Sequence, residues 1–548
     1  MKRSLSVALC AALVIAAAGC GTASPAGTEE YEAQTALADT DGVTPEKAGE
    51  DTVQEQRQDA SALSMSASYY FRVQSPGILI DRNGYDCAAD KVAVFNGQVL
   101  PTSFEVRRDA DDRTVYTAEL KRDEEGASQA CGDFSALTEE GTYYLYAQWL
   151  GESYPFTVGE DTAAALLKRV LKRYYLNRCG TSLTGEYAGD LAHGVCHSAD
   201  AQIAGEKGAR IDVSGGWHMD ERADRFVVRG AQTVDHLLLA YEMAPDAFDD
   251  GSGIPESGNE VPDLLDEVRC EVEWLLKMQD PASGGVYSGA ITQAEPDDNL
   301  MDAPVIVQPM NRESAVNFAS ALAHFSVVYR HYDGELATTA LRAADRAFSW
   351  YEAAGEARSE EAFAAAAQLY RATGQGNYRR ILESFFERED FEELVMSDPA
   401  LFMGTVTYLE TAQPVSVKQS ERLMRILTGA AEIIANLANN SVYGAPEEGY
   451  ALYVPESGSS DTEALVASLL HGMEILAVCD HVSYSYEYTR LLSEHLHFLC
   501  GRNPGALDHL QGYAGDAVRS GYPGIENRPV ENASLAVSLA MLVHEEWQ

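Results

Sequence analysis

The chain has 548 residues, with 85 acidic side chains against 40 basic ones and a formal net charge of −45. That balance excludes nucleic acid as a partner, because binding phosphate requires clustered Lys and Arg. It suits a neutral polysaccharide or oligosaccharide, gripped by hydroxyl-to-carboxylate hydrogen bonds and aromatic faces, and the length predicts at least two folded units.

The first twenty residues, MKRSLSVALCAALVIAAAGC, set Lys2 and Arg3 ahead of a short apolar run and end in small residues before Cys20. This is the layout of a secretory signal, with an apolar run too short to span a bilayer comfortably. Ala18-Gly19-Cys20 resembles a bacterial lipobox. Processing there leaves Cys20 as a lipidated N-terminus, which predicts an extracellular cell-surface lipoprotein whose only membrane contact is its lipid anchor. Plain secretion with cleavage at another bond is the alternative. Residues 21–67 are rich in Ala, Thr, Glu, Asp and Gly and nearly free of aromatics, so they read as a disordered tether.

From Tyr69 the character changes to short alternating segments, FRVQ, KVAVFNG, FEVRRD, VYTAELK, TYYLYAQWL and YPFTV, separated by Asn-Gly, Asp-Asp and Glu-Gly turns. Evenly spaced short strands predict a small all-β sandwich over 68–160. Beyond Asp161 apolar residues recur at three- and four-residue spacing, beginning with AAALLKRVLKRYYL and continuing through TVDHLLLAYEMA and LLDEVRCEVEWLLKMQ to ASLAVSLAMLV. Close to a dozen helices without a strict short repeat predict a closed ring of helical hairpins over 161–548.

Of nine cysteines, Cys10 and Cys20 fall in the leader, and the remaining seven are too widely spaced for a small disulfide framework. Cys179, Cys196, His197 and His218 follow a Cys-x16-Cys-His-x20-His spacing. Two soft sulfurs and two imidazoles suit tetrahedral zinc, and four protein ligands leave no open position, so such a metal is structural. A Cys179–Cys196 disulfide beside two unrelated histidines is the competing reading.

The DVSGGWH of 212–218, the IPESGNEVPDLLDEVRCEVEWLLKMQDPASGGVY of 254–287, the AVNFASALA from Ala315 and the CGRNP of 500–504 together resemble glycoside hydrolase family 9. The preceding KVAVF, DFS, GTYYLY and YPFTV resemble the immunoglobulin-like domain found before many such catalytic domains. The resemblance implies an immunoglobulin-like sandwich followed by an all-α (α/α)6 barrel, a structural zinc on Cys179, Cys196, His197 and His218, and inverting hydrolysis of β-1,4-glucans or related polysaccharides by two carboxyl groups. The family's proton donor is a glutamate just before an apolar C-terminal helix, which implies Glu531; a plain helix N-terminal charge is that residue's other reading. The family's base lies in a DAGD motif directly after Gly-Gly-Trp-His, where this chain carries Met219-Asp220-Glu221-Arg222. The substitute bases are then Asp220, Glu221 or Asp224, and the alternative is a catalytically inactive carbohydrate-binding protein.

Overall fold

The computed structural model describes residues 77–122, 127–295, 299–452, 459–483, 486–511 and 523–546. Cys20, the tether and the FRVQ segment of 71–74 lie outside them.

Nine strands form the sandwich: β1 (Ile78–Leu79), β2 (Tyr85–Asp86), β3 (Val92–Asn96), β4 (Ser103–Arg108), β5 (Thr114–Lys121), β6 (Gln129–Asp133), β7 (Gly141–Ala147), β8 (Gly151–Glu152) and β9 (Phe156–Gly159). Their order is β1-β3-β6-β5-β4-β7-β9-β2, with β8 on β7. Strand β5 joins the two layers, pairing with β4 over Thr114–Glu119 and with β6 at Leu120 and Lys121. The period-2 alternation of strands sends side chains to two destinations. Ile78, Ala93 and Phe95 enter the sandwich core, whereas Leu79 and Val94 join the core of the helical domain. Polar contacts reinforce that seam. Asp81 Oδ2 bonds His497 Nδ1 at 2.6 Å, and Tyr443 Oη accepts from Asn96 Nδ2 at 3.1 Å and from Gln129 Nε2 at 2.7 Å.

The helical domain comprises α1 (Thr162–Leu176), α2 (Val227–Met243), α3 (Asp263–Lys277), α4 (Arg312–Val328), α5 (Gly334–Ala353), α6 (Glu361–Thr373), α7 (Gly376–Phe386), α8 (Phe391–Ser397), α9 (Pro399–Glu410), α10 (Val417–Asn439), α11 (Asp461–Ser483), α12 (Tyr486–Leu499) and α13 (Pro529–Glu546), besides one-turn segments. Helices α2, α4, α6, α9, α11 and α13 form an inner ring, and α13 closes it by packing on α2. The others form an outer ring, with α7 and α8 sharing one position. This is the expected (α/α)6 barrel.

Composition assigns each helix to its ring. Outer α7 buries one stripe, Tyr378, Ile381, Leu382, Phe385 and Phe386. Inner α4 is buried without interruption from Ser314 to Ser326, as expected of a helix with neighbours on every side. Helix α11 is long and apolar enough to cross a membrane, yet 72% of its most apolar window is buried in the barrel.

The periodicity places α2 from Thr233, but the helix starts at Val227, because the half-buried, cavity-lining Arg229 and Gln232 interrupt the apolar pattern without breaking the backbone. Likewise α13 begins at Pro529, so Glu531 sits inside its first turn rather than ahead of it. Proline suits that opening position, having no N–H to leave unpaired. A small sheet, β10 (Ala201–Ile203), β11 (Arg210–Ile211), β12 (Arg225–Phe226), β13 (Gly289–Thr292) and β14 (Val305–Val307), in the order β11-β10-β14-β13-β12, braces the loops at the inner helices' N-terminal end.

Candidate active site and metal centre

The N-terminal halves of the six inner helices enclose a cavity of about 430 Å³, within the size range of small-ligand sites. Around its mouth stand Arg229 of α2, Glu313 of α4, Glu361 of α6, Glu463 of α11, and Arg528 and Glu531 at the start of α13; deeper lie Asp235, His236, Ser320, His471, Glu474 and Ser534. Acidic groups at helix N-termini are stabilised by the helix dipole. The six carboxylates lining the cavity, four at the mouth and two deeper, also supply acceptors for sugar hydroxyls.

The charged groups are tied in pairs. Arg528 donates from Nε to Glu531 Oε1 and from Nη1 to Glu463 Oε1 at 2.7 Å, so one guanidinium joins the first turns of α11 and α13. His236 and Glu474 are both buried, with His236 Nε2 3.2 Å from Glu474 Oε1 and His471 Nδ1 3.8 Å from Glu474 Oε2. Burial alone would lower the His236 pKa, but the Glu474 carboxylate overrides it and holds the imidazole up at about 9. Conversely, burial would raise Glu474, and the two imidazoles, His236 foremost, pull it down to about 2.

This pair fixes a pH window. The raised His236 contributes stability fully below its ordinary pKa of 6.5 and loses it as pH rises through about 9. The depressed Glu474 contributes above its ordinary 4.5 and loses stability as pH falls through about 2. The Tm deficit of His236→Gln relative to wild type, measured by calorimetry at several pH values, is therefore expected to be largest between pH 4.5 and 6.5 and to shrink toward pH 9.

The carboxylates of the 219–224 loop lie elsewhere. Met219 N donates to Asp224 O at 2.8 Å, closing a tight turn in which Asp220 Oδ1 accepts from the N–H groups of Arg222 and Asp224. Asp224 is buried and accepts from Thr292 N at 2.7 Å, whereas Glu221 is exposed. None of the three lines the cavity, while Glu531 does. Met219 is buried, its Cε 3.4 Å from where a Cβ on Gly230 would stand. Beneath this loop, Gly216 has φ 74°, and a Cβ there would lie 2.8 Å from Trp274 Cγ, so the Gly-Gly-Trp element packs directly on α3.

The metal-binding candidates converge. The backbone of 177–179 pairs with that of 216–218 through Cys179 N to Gly216 O at 2.7 Å and His218 N to Asn177 O at 2.8 Å, which sets Cys179 beside His218. The Cys196-His197 segment completes the group. One ligand atom from each of the four residues lies within 4.8 Å of the others, and all four residues are buried. The two sulfurs are 3.8 Å apart, Cys179 Sγ is 3.4 Å from His197 Nδ1, and Cys196 Sγ is 3.8 Å from His218 Nε2.

A disulfide would require ~2.05 Å between sulfurs. Tetrahedral coordination with metal–sulfur bonds of ~2.3 Å instead demands ~3.8 Å between them. The donor set therefore fits a metal, and no disulfide is formed among the described residues. The far nitrogen of His197 bonds Leu300 O at 2.8 Å and fixes the ring, as outer contacts do for metal ligands. Its backbone has φ 43°, an unfavourable conformation for a non-glycine residue that the cluster holds in place.

The profile of Glycosyl hydrolase family 9 matches residues 164–529, and that of the Cellulase N-terminal ig-like domain matches residues 73–152. The chain belongs to glycosyl hydrolase family 9. A cellodextrinase of Butyrivibrio fibrisolvens is 27% identical over 492 residues, 81% of this chain and 86% of that protein. Endoglucanase D of Acetivibrio thermocellus is 26% identical over 408 residues, 68% of this chain and 62% of that protein. Among solved structures, a metagenome-derived family 9 endoglucanase superposes with a TM-score of 0.72 at 22% identity, covering 85% of this chain and 98% of that one. The family 9 protein of Bacteroides ovatus does so with 0.71 at 20% identity, covering 86% and 100%.

Within this family 9 barrel, of the residues singled out from sequence Glu531 lines the cavity and the Cys/His quartet converges, whereas the deep polar residues were missed. The available signal was charge inside apolar helices, Asp235-His236 before LLLAYEM and His471 and Glu474 within LLHGMEIL. A charged residue on an otherwise buried helix needs a partner or a purpose.

Proposed function

We propose that this protein is an extracellular glycoside hydrolase that cleaves short β-1,4-linked gluco-oligosaccharides in the axial cavity of its barrel, with Glu531 as proton donor. The observation that carries this reading is the cavity itself: its volume suits a few sugar rings rather than a polymer lying across a surface, and its mouth is ringed by carboxylates that include Glu531. The similarity to a cellodextrinase over most of both chains supports the same substrate class. Inverting hydrolysis needs one carboxylic acid to protonate the leaving oxygen and one carboxylate to activate water.

The metal held by Cys179, Cys196, His197 and His218 is, on this reading, a structural zinc. It would clamp the loops between α1 and α2, supplying rigidity rather than a Lewis acid. Lipidation at Cys20 would hold the enzyme on the cell surface, where oligosaccharides released from larger glucans arrive.

A second reading, carbohydrate binding without cleavage, is favoured by one specific observation: Asp220, Glu221 and Asp224 all stand outside the cavity lining. Prolonged incubation with cellotetraose and mixed-linkage gluco-oligosaccharides, with chromatographic product analysis, separates the two. Release of shorter sugars supports the hydrolase. Calorimetrically detected binding with no product supports the second reading.

A further inference from the structure

Asp235 lies six residues beyond Arg229 at the cavity mouth, ~9 Å further along α2 at 1.5 Å per residue. It is one end of a buried chain of charges. Asp235 Oδ1 is 3.0 Å from His324 Nδ1, and His324 Nε2 is 2.9 Å from Glu242 Oε2. Both oxygens of Glu242 are gripped by the Arg371 guanidinium. His324 is 1% exposed. Burial alone would lower its pKa, but hydrogen bonds to Asp235 and Glu242 raise it, and each ring nitrogen faces a carboxylate oxygen. The chain then runs carboxylate, imidazole, carboxylate, guanidinium.

Packing does not require such an arrangement, because buried ion pairs are generally no more stabilising than apolar side chains of the same volume. What the chain achieves is local. It holds one oxygen of Asp235 on His324 Nδ1, while the residue lines the cavity. The other cavity carboxylates are less suited to accept a proton. Glu463 and Glu531 share Arg528, Glu474 is bound up with His236, and Glu313 and Glu361 stand at the wetter mouth.

We propose that Asp235 is the base that activates water in this barrel, replacing a carboxylate of the 219–224 loop. The inference rests on the hydrolase reading. In the step it performs, water oxygen bonds to the anomeric carbon as the glycosidic C–O bond breaks. One water proton passes to the oxygen of Asp235 not held by His324, and the leaving oxygen takes a proton from Glu531. An inverting pair needs ~6.5–9.5 Å between carboxyl groups, room for a sugar ring and a water. Asp235 and Glu531 stand at different depths on adjacent inner helices.

The test uses the whole mature chain, cellotetraose and two variants, Asp235→Asn and Asp235→Ser, each checked for wild-type Tm and for cellotetraose binding by calorimetry. Removing a general base costs about 10²–10⁴-fold. Asp235→Asn should therefore lose at least ~100-fold in kcat while KM stays within about threefold. Added azide should restore turnover to Asp235→Ser with formation of an inverted glycosyl azide, because a strong anionic nucleophile needs no base. A folded variant that keeps more than a tenth of wild-type kcat overturns the assignment, as does a folded Asp235→Ser that yields no azide adduct. A wild type that binds cellotetraose without cleaving it sinks the hydrolase reading and this inference together. An active wild type matched by its variants sinks the inference alone.

Discussion

Glu531→Gln is expected to lose about 10²–10⁴-fold in kcat on cellotetraose, the range for removal of general acid catalysis. Glutamine keeps the shape of the side chain and an oxygen to accept from Arg528, which already engages one glutamate oxygen. It removes only the transferable proton, so KM should stay within about threefold. The size of the loss should depend on the leaving group. With a dinitrophenyl cellobioside, whose phenolate departs without protonation, the deficit should nearly vanish. If Glu531 serves only as a charge in the first turn of α13, the variant would instead keep full activity and lose ~0.3–1 kcal/mol of stability. Stopped assays on both substrates, beside a thermal melt, distinguish these outcomes.

Cys196→Ser is expected to produce the largest loss of stability, lowering Tm by ~5–10 °C, since loss of a metal is among the few single changes costing several kcal/mol. The chemistry behind this is the geometry of the quartet. Four ligand atoms within 4.8 Å of one another come from three segments, at 179, 196–197 and 218, that the small sheet and one backbone pairing bring together. A serine hydroxyl is a poor zinc ligand and leaves three buried donors facing each other. Elemental analysis of the purified wild type should give one zinc per chain, and the variant none. A strong chelator at elevated temperature should bring the wild-type melt down to that of the variant. A metal-free wild type with the variant's Tm unchanged would remove the structural-metal reading.

The contrast between these two sites shows what one-dimensional patterns carry. The quartet was legible because Cys196 and His197 are adjacent and the other two ligands flank them within forty residues, so that spacing alone suggested coordination. The barrel was legible for a related reason: outer helices such as α10 carry a clean apolar stripe. Inner helices were harder to delimit, and α7, α8 and α9 were not delineated, because α9 is buried on every face from Leu401 to Tyr408 and too short to show a period, while α7 and α8 interleave charge with their apolar residues. The cavity was the least legible part. Asp235, Glu474 and Glu531 come from three helices spread over some three hundred residues, and a ring brings them together only once it closes. Asp220, Glu221 and Asp224 had the right chemistry, but a tight turn and the bond to Thr292 N occupy two of them and the third faces solvent.

The seam between sandwich and barrel bears on how this protein can be taken apart. Leu79 and Val94 are components of the barrel's core, Arg82 N donates to Cys500 O at 3.0 Å, and Arg502 is 1% exposed with Val92 O among its acceptors. Cutting the chain at Asp161 would take Val92 O from Arg502, which keeps Glu494 and Tyr443 O, and would expose the apolar surface on which Leu79 and Val94 pack. The two parts resemble separate modules in outline but behave mechanically as one casting. Expression of the catalytic half by itself should therefore yield aggregates, and a sandwich borrowed from a relative should not restore solubility unless the seam is carried over with it.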